Sequence, residues 1–91
     1  MTENTLVQLR TSIDQADVSL VLALAQRMEY VREVGKHKRN NSIPALDEGR
    51  WNEVLAKVVA LGKQSGLSEE FVKDIYAAIH EESLRIETGD N

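Results

Sequence analysis

Apolar residues recur through the first third of the chain at Leu6, Leu9, Ile13, Ala16, Leu20, Ala23, Leu24, Val31 and Val34. The steps are three, four or seven residues, the spacing of one face of an α-helix. No proline falls between Thr5 and Arg39, and the one glycine there is Gly35. The pattern predicts a single helix of about 35 residues, roughly 50 Å long at 1.5 Å per residue. Asn40, Asn41, Ser42 and Pro44 end it with turn-forming chemistry.

A second helix is predicted from Asp47, which can act as N-cap, with Glu48 well placed against the positive end of the helix dipole. Its apolar stripe is Trp51, Val54, Leu55, Val58 and Leu61, and Gly62 or Gly66 supplies the stop. Ser68 then caps a third helix whose first turn carries Glu69 and Glu70. The stripe of that helix is Val72, Ile75, Tyr76 and Ile79, continued by Ser83, Ile86 and Glu87, and the tail Gly89, Asp90, Asn91 is expected to fray. Neither an internal repeat nor a low-complexity segment is present.

The expected fold class is therefore all-α: three helices in one domain, residues 1–91, with a long N-terminal helix. Aromatic residues at 4% also disfavour a sandwich or barrel. The lengths pose a problem, because a compact domain near 100 residues has a radius of gyration of only about 13 Å. A helix of some 50 Å overhangs such a globule and leaves its apolar face wet. An intertwined two-fold homodimer, in which the long helices pack together and the shorter ones wrap the partner, closes that face. The alternative is a kink near Gly35 that folds the chain back alone.

Composition narrows the function classes. The chain has no cysteine, which excludes disulfides, a thiolate nucleophile and Cys-based metal sites and fits a reducing, cytoplasmic setting. A formal net charge of −4 argues against a nucleic-acid binder that depends on phosphate contacts. No apolar stretch approaches the roughly 20 residues of a membrane span, and no secretory signal is read in Met1 to Leu9.

The informative residues are polar ones on apolar faces. Arg27 interrupts the first stripe, and Lys38, eleven residues later, points about 20° from it. On the third helix Ser83 and Glu87 lie one turn apart. On the second, Asp47 and Arg50 stand at i and i+3. From spacing alone two readings remain open. Converging cations at an interior suggest an anionic ligand, since a buried charge needs a partner and the arginine fork suits a carboxylate. Equally, Arg27, Lys38 and Arg50 can pair with Asp47, Glu29 or Glu53 in ordinary surface salt bridges. Arg10 lies about 25 Å from Arg27 and 42 Å from Lys38 along one straight helix. In an antiparallel dimer, Arg10 of one chain can reach the site built by the other.

These residues carry a resemblance. From about Leu6 to Glu87 the chain resembles the short, all-helical chorismate mutases. The matching segments are Leu9-Arg10 with Ile13-Asp14 and Asp17; Ala25-Gln26-Arg27; Val34-Gly35-Lys36-His37-Lys38; Ile43-Pro44 with Asp47 and Arg50; and Glu82-Ser83. Each is weak alone, and their order and spacing together are specific. The resemblance implies an intertwined dimer with two equivalent sites that rearranges chorismate to prephenate. One C–O bond breaks as one C–C bond forms, without nucleophile, metal or cofactor. By position, Arg27 and Arg10 of the partner subunit would grip the two carboxylates. Lys38 would contact the ether oxygen and a carboxylate, Arg50 would support the site electrostatically, Asp47 would meet the substrate hydroxyl through its backbone, and Ser83 would touch a carboxylate. Lys38, Glu87 and Arg27 would carry the catalysis.

Three residues depart from the family pattern. Glu87 stands where glutamine is frequent as the second donor to the ether oxygen, and it can donate only when protonated. Trp51 occupies the usual place of a glutamate that holds the substrate hydroxyl, and on the second stripe it reads first as a core aromatic. His80 replaces an apolar residue and reads as a hydrogen-bonded packing residue rather than a catalytic base, while His37 is expected to be exposed. Other readings of the same site are an isochorismate pyruvate lyase, an aminodeoxychorismate mutase, or a non-catalytic helical dimer. No separate regulatory domain is read in the sequence, so feedback control would need a regulatory partner enzyme, whose identity the residues leave open.

Overall fold

The computed structural model describes residues 2–89 and is all-α, with three helices and no strand among the described residues. Helix α1 covers Thr2–Asn40, α2 covers Glu48–Gln64 and α3 covers Glu69–Glu87. Helix α1 begins four residues before the apolar periodicity does, because no glycine or proline stops the polar residues ahead of Leu6 from continuing the helix. Asp90 and Asn91 of the expected frayed tail lie outside the described residues. No helix among the described residues is long and apolar enough to cross a membrane.

The chain divides into two compact units, Met1–Tyr30 and Val31–Asn91. The described part of the first is helix throughout. Its predicted stripe residues Leu6, Leu9, Ile13 and Leu20 are all exposed, as are Val7, Val18, Val21 and Leu22. Exposed apolar surface on this scale is more than isolated surface residues account for and is the kind that in general marks an interaction site.

The second unit holds the end of α1 with α2 and α3. Its buried apolar residues are Val72 and Ile79, on one side of α3, with the polar Ser83 buried one turn further on. The α2 stripe continues through Val54, Leu55 and Val58, all half-buried. It does not continue through Leu61, which is exposed, and Gly62 is buried instead. The reason is steric: a Cβ on Gly62 would stand 2.6 Å from Val72 Cγ2, so only glycine lets α3 come this close. On α3, Ile75 is likewise turned outward, 40% exposed, although the periodicity placed it inward.

Capping follows the sequence. Asp47 Oδ1 accepts the Arg50 N–H at 3.0 Å, and Ser68 Oγ accepts the Phe71 N–H at 3.2 Å. Each satisfies a donor that the first helical turn leaves orphaned. Of the two candidate stops for α2, Gly66 is the one used. It takes φ +85° while Leu67 N–H donates to Gly62 O at 2.8 Å and Gly66 N–H to Lys63 O at 3.3 Å, a Schellman ending. Helix α1 ends the same way without glycine. Ser42 takes φ 55°, Ile43 N–H donates to Lys38 O at 2.7 Å, and Ser42 N–H to Arg39 O at 3.4 Å. A non-glycine residue in this region is strained.

The α2–α3 corner is held by charge. Glu69 accepts Lys73 at 2.8 Å one turn along α3 and Lys63 at 3.0 Å from the end of α2. The hydrogen bond from Lys73, then that from Lys63, lowers the Glu69 carboxyl from 4.5 to about 2. A depressed folded-state value adds stability above the unfolded value, and that stability is lost as pH falls through the folded one. Glu69→Gln is therefore expected to unfold at lower denaturant than the parent at pH 7. The gap should shrink between about pH 4.5 and 2, as followed by urea titration across pH, and a pH-independent gap would refute this role.

Gly35, buried in the last turns of α1, lies against the end of α3. A Cβ there would lie 2.9 Å from Glu87 Cα and 3.1 Å from Arg39 Nη1. Because the obstacle is backbone, it cannot be relieved by a side-chain rotation. Alanine gains about 1 kcal/mol of helix propensity and meets an overpacking penalty of about 1–3 kcal/mol. Gly35→Ala is therefore expected to lose up to about 2 kcal/mol net. A rise in melting temperature, the usual result of Gly→Ala in a helix, would show that the two backbones do not touch there.

Candidate active site

The α1 end and the α3 end meet at Lys38 and Glu87. Lys38 Nζ lies 2.6 Å from Glu87 Oε1, and the two side chains are only 17% and 11% exposed. The same ammonium donates to Ala45 O at 2.7 Å, so two of its three donors are committed within the protein. The Ala45 contact ties the loop between α1 and α2 to the pair. Charge-assisted bonds of this length are stronger than neutral ones. A half-buried pair of this kind is costly to break on one side only, because the remaining charge keeps its desolvation penalty.

Glu87 is also held through its main chain. Arg39 Nη1 donates to Glu87 O at 2.6 Å. Spacing alone points to neither contact: it offers Asp47, Glu29 and Glu53 as acceptors for Lys38 and gives Arg39 no role. The partners are separated by 49 and 48 residues, and helical periodicity does not say which end of one helix meets which end of another.

Ser83 lies one turn before Glu87 and is buried, its hydroxyl donating to Ile79 O at 2.7 Å. A substrate carboxylate at this point would have to draw that donor away from the helix backbone. Asp47 is exposed and serves as the α2 N-cap. Its contact with Arg50 is to the backbone N–H and not to the guanidinium. The Arg50 side chain is exposed and paired with Glu53, one of the surface bridges that spacing allowed. Arg50 is thus directed to a neighbour on its own helix.

Trp51 and His80 form a contact between α2 and α3. Their ring centroids are 4.0 Å apart and the planes are inclined by 10°. Trp51 is half-buried, as its place on the α2 stripe predicts. His80 is half-buried and a packing residue, but its partner is an aromatic face. His80, Ser83 and Glu87 follow at i, i+3 and i+7 on α3 and share one side of it. His37 is exposed near the end of α1. Nearby on α3, Glu82 pairs with Arg85, and that hydrogen bond is the chief cause that lowers its carboxyl.

Arg10 and Arg27 belong to the Met1–Tyr30 unit. Arg10 is exposed and Arg27 half-buried. Within the other unit the structure brings Lys38, Glu87 and the carbonyl of Ala45 together, with Ser83 one helical turn away. The arrangement places an ammonium, a carboxyl group and a buried hydroxyl near one another, each engaged by a neighbour within the unit.

Comparison with known proteins places this geometry in context. The family model described as chorismate mutase type II matches residues 9–88. Over 82 residues the chain is 34% identical to the bifunctional chorismate mutase/prephenate dehydratase of Escherichia coli, covering 90% of this chain and 21% of that protein. It spans about a fifth of the length of the bifunctional relatives it matches. It is 28% identical over 88 residues to the 4-amino-4-deoxychorismate mutase of Streptomyces venezuelae, covering 96% of this chain and 85% of that protein. It is also 32% identical over 75 residues to the isochorismate pyruvate lyase of Pseudomonas aeruginosa, covering 81% and 72% respectively. A family-model match over residues 9–88, on a chain of three helices with no strand among the described residues, identifies the chain as a member of the chorismate mutase type II family.

Proposed function

We propose that the chain is a chorismate mutase, a cytoplasmic isomerase that converts chorismate to prephenate in sites shared by two copies of the chain. The observation that carries this reading is the half-buried Lys38–Glu87 pair at 2.6 Å, in a chain of the chorismate mutase type II family. The exposed apolar stripe of α1 supports the homodimer, since it needs a cover.

The reaction needs the flexible substrate held in a compact, reactive shape and negative charge stabilised on the ether oxygen as the C–O bond opens. Lys38 suits the second task, because its ammonium is already fixed at the end of α1 by Ala45 O. Arg27 and Arg10 of the partner subunit take the two substrate carboxylates. Ser83 adds a hydroxyl contact, Asp47 offers backbone groups to the ring hydroxyl, and Arg50 supports the anion at a distance. Glu87 is a second donor to the ether oxygen when protonated. When ionised, its carboxylate engages Lys38 and opposes the charge growing on the substrate.

A second reading, a mutase acting on the 4-amino analogue of chorismate, is favoured by one feature. Trp51, stacked on His80, stands beside Arg50 where the resemblance expects a carboxylate for the hydroxyl. The likeness to a 4-amino-4-deoxychorismate mutase over 85% of that protein's length points the same way. Comparing turnover of chorismate and of its 4-amino analogue separates the two. Pyruvate release from isochorismate would instead identify a lyase, and saturable binding without turnover a non-catalytic dimer.

Arg27→Ala is expected to lose a charge-assisted carboxylate contact and about a hundredfold or more in kcat/KM. Wild-type turnover by that variant would refute the site. Glu87→Gln places an amide N–H donor at the same position without a carboxylate and is expected to keep or raise kcat, since a donor there stabilises the charge on the ether oxygen. A loss of about tenfold or more in that variant at unchanged helix content rules out the donor role. Sedimentation equilibrium should give twice the chain mass, and a fully active monomer would exclude a shared site.

A further inference from the structure

We propose that Arg39 is a positioning residue that sets where the Glu87 carboxyl meets Lys38. The inference rests on the proposed role of that pair in the site, but its geometry stands without it.

The last turn of α3 shows why Arg39 matters. A helix leaves its final carbonyls without partners in the helix ladder. Here Leu84 O accepts Thr88 N–H at 3.0 Å, Ile86 O accepts Gly89 N–H at 3.0 Å, and Arg85 O accepts the Thr88 hydroxyl at 3.0 Å. These three are satisfied by residues that follow directly in the chain. The fourth, Glu87 O, accepts from Arg39 on α1 at 2.6 Å. A guanidinium at this end of the helix also opposes the negative end of its dipole.

Arg39 and Lys38 are neighbours on α1, and they take hold of the main chain and the side chain of one residue. Successive helical residues point about 100° apart, so the two grips come from different directions. Between them lies Gly35, whose missing Cβ would stand 2.9 Å from Glu87 Cα and 3.1 Å from Arg39 Nη1. Arg39 also passes Gly89, where a Cβ would stand 3.8 Å from its Nη1. Glu87 is thereby fixed at Cα, at its carbonyl and at its carboxyl by three residues of α1. Of these, Arg39 alone is an exposed side chain. Water can replace its hydrogen bond, so its removal should leave the fold intact while freeing the Glu87 backbone. Misplacement of a reacting group by about 1 Å is enough to change rates by one to two orders of magnitude.

The test compares Arg39→Met, which keeps the aliphatic stem, with Arg39→Lys, which restores a cationic donor. One readout is the ¹⁵N–¹H signal of the Lys38 side-chain ammonium, assigned by its loss in Lys38→Arg. It does not depend on any activity. The expected result is a distinct, protected ammonium signal in the parent and in Arg39→Lys, weakened or lost in Arg39→Met at unchanged helix content. The second readout is chorismate turnover. Arg39→Met should lower kcat roughly tenfold with KM within about twofold, and Arg39→Lys should recover most of it. A folded Arg39→Met protein with the parental ammonium signal overturns the proposal. So does a lost signal with unchanged kcat, or a loss of turnover that only tracks the folded fraction. Should Arg39→Met fail to fold, Arg39→Gln, which keeps one neutral donor, serves in the same comparison. If the parent itself does not turn over chorismate, the activity reading fails, and the ammonium signal still decides the role of Arg39.

Discussion

An ammonium and a carboxyl group, each mostly withdrawn from water and 2.6 Å apart, organise the C-terminal unit. Lys38 joins three segments by this contact and its bond to Ala45 O: the end of α1, the following loop and the end of α3. Burying either charge alone would be strongly unfavourable, so the elements that carry them have to arrive together. Close backbone approach at Gly35 makes that possible, and the Schellman ending at Ser42 turns the chain so that Ala45 can face the ammonium. The site and the fold thus depend on the same few atoms. On the proposed function, a substrate that recruits Lys38 would draw on an ion pair that also holds the end of α1 to α3.

The helices were legible because their signals are local. Asp47 and Ser68 announce helix starts through a side chain that reaches three residues ahead, and Gly66 announces an ending through a positive φ. On α3, Val72, Ile79 and Ser83 were legible as one inward side from the period, whereas Ile75 of the same stripe was not. What periodicity could not supply was contact between distant segments. Gly62 and Gly35 look like weak points in helices until the opposing Val72 methyl and Glu87 Cα are known. Trp51 and His80 were each placed on a helix face, but nothing in their spacing pairs them. Leu61 and Ile75 fail as core residues for a related reason: in a unit this small, one glycine crossing decides which side of a helix is inside.

The candidate site was legible in part. Lys38, Glu87 and Ser83 were marked as polar residues on apolar faces, and they cluster at one end of the C-terminal unit. Arg50 was marked by the same logic and is engaged by Glu53 on the surface. The resemblance to a family ranked these residues where physics alone left two readings open. Arg39 escaped both approaches because its partner is a backbone oxygen, and main-chain acceptors leave no trace in a sequence.

The stacking of the chain's single tryptophan on an imidazole gives the molecule a built-in optical gauge. Indole emission is sensitive to a ring lying flat against it. Any rearrangement that slides α2 along α3, or parts the two rings as a ligand enters beside them, should register as a change in brightness or wavelength without an added label. Light from one residue can therefore follow the helix–helix contact in real time, during refolding as well as during binding.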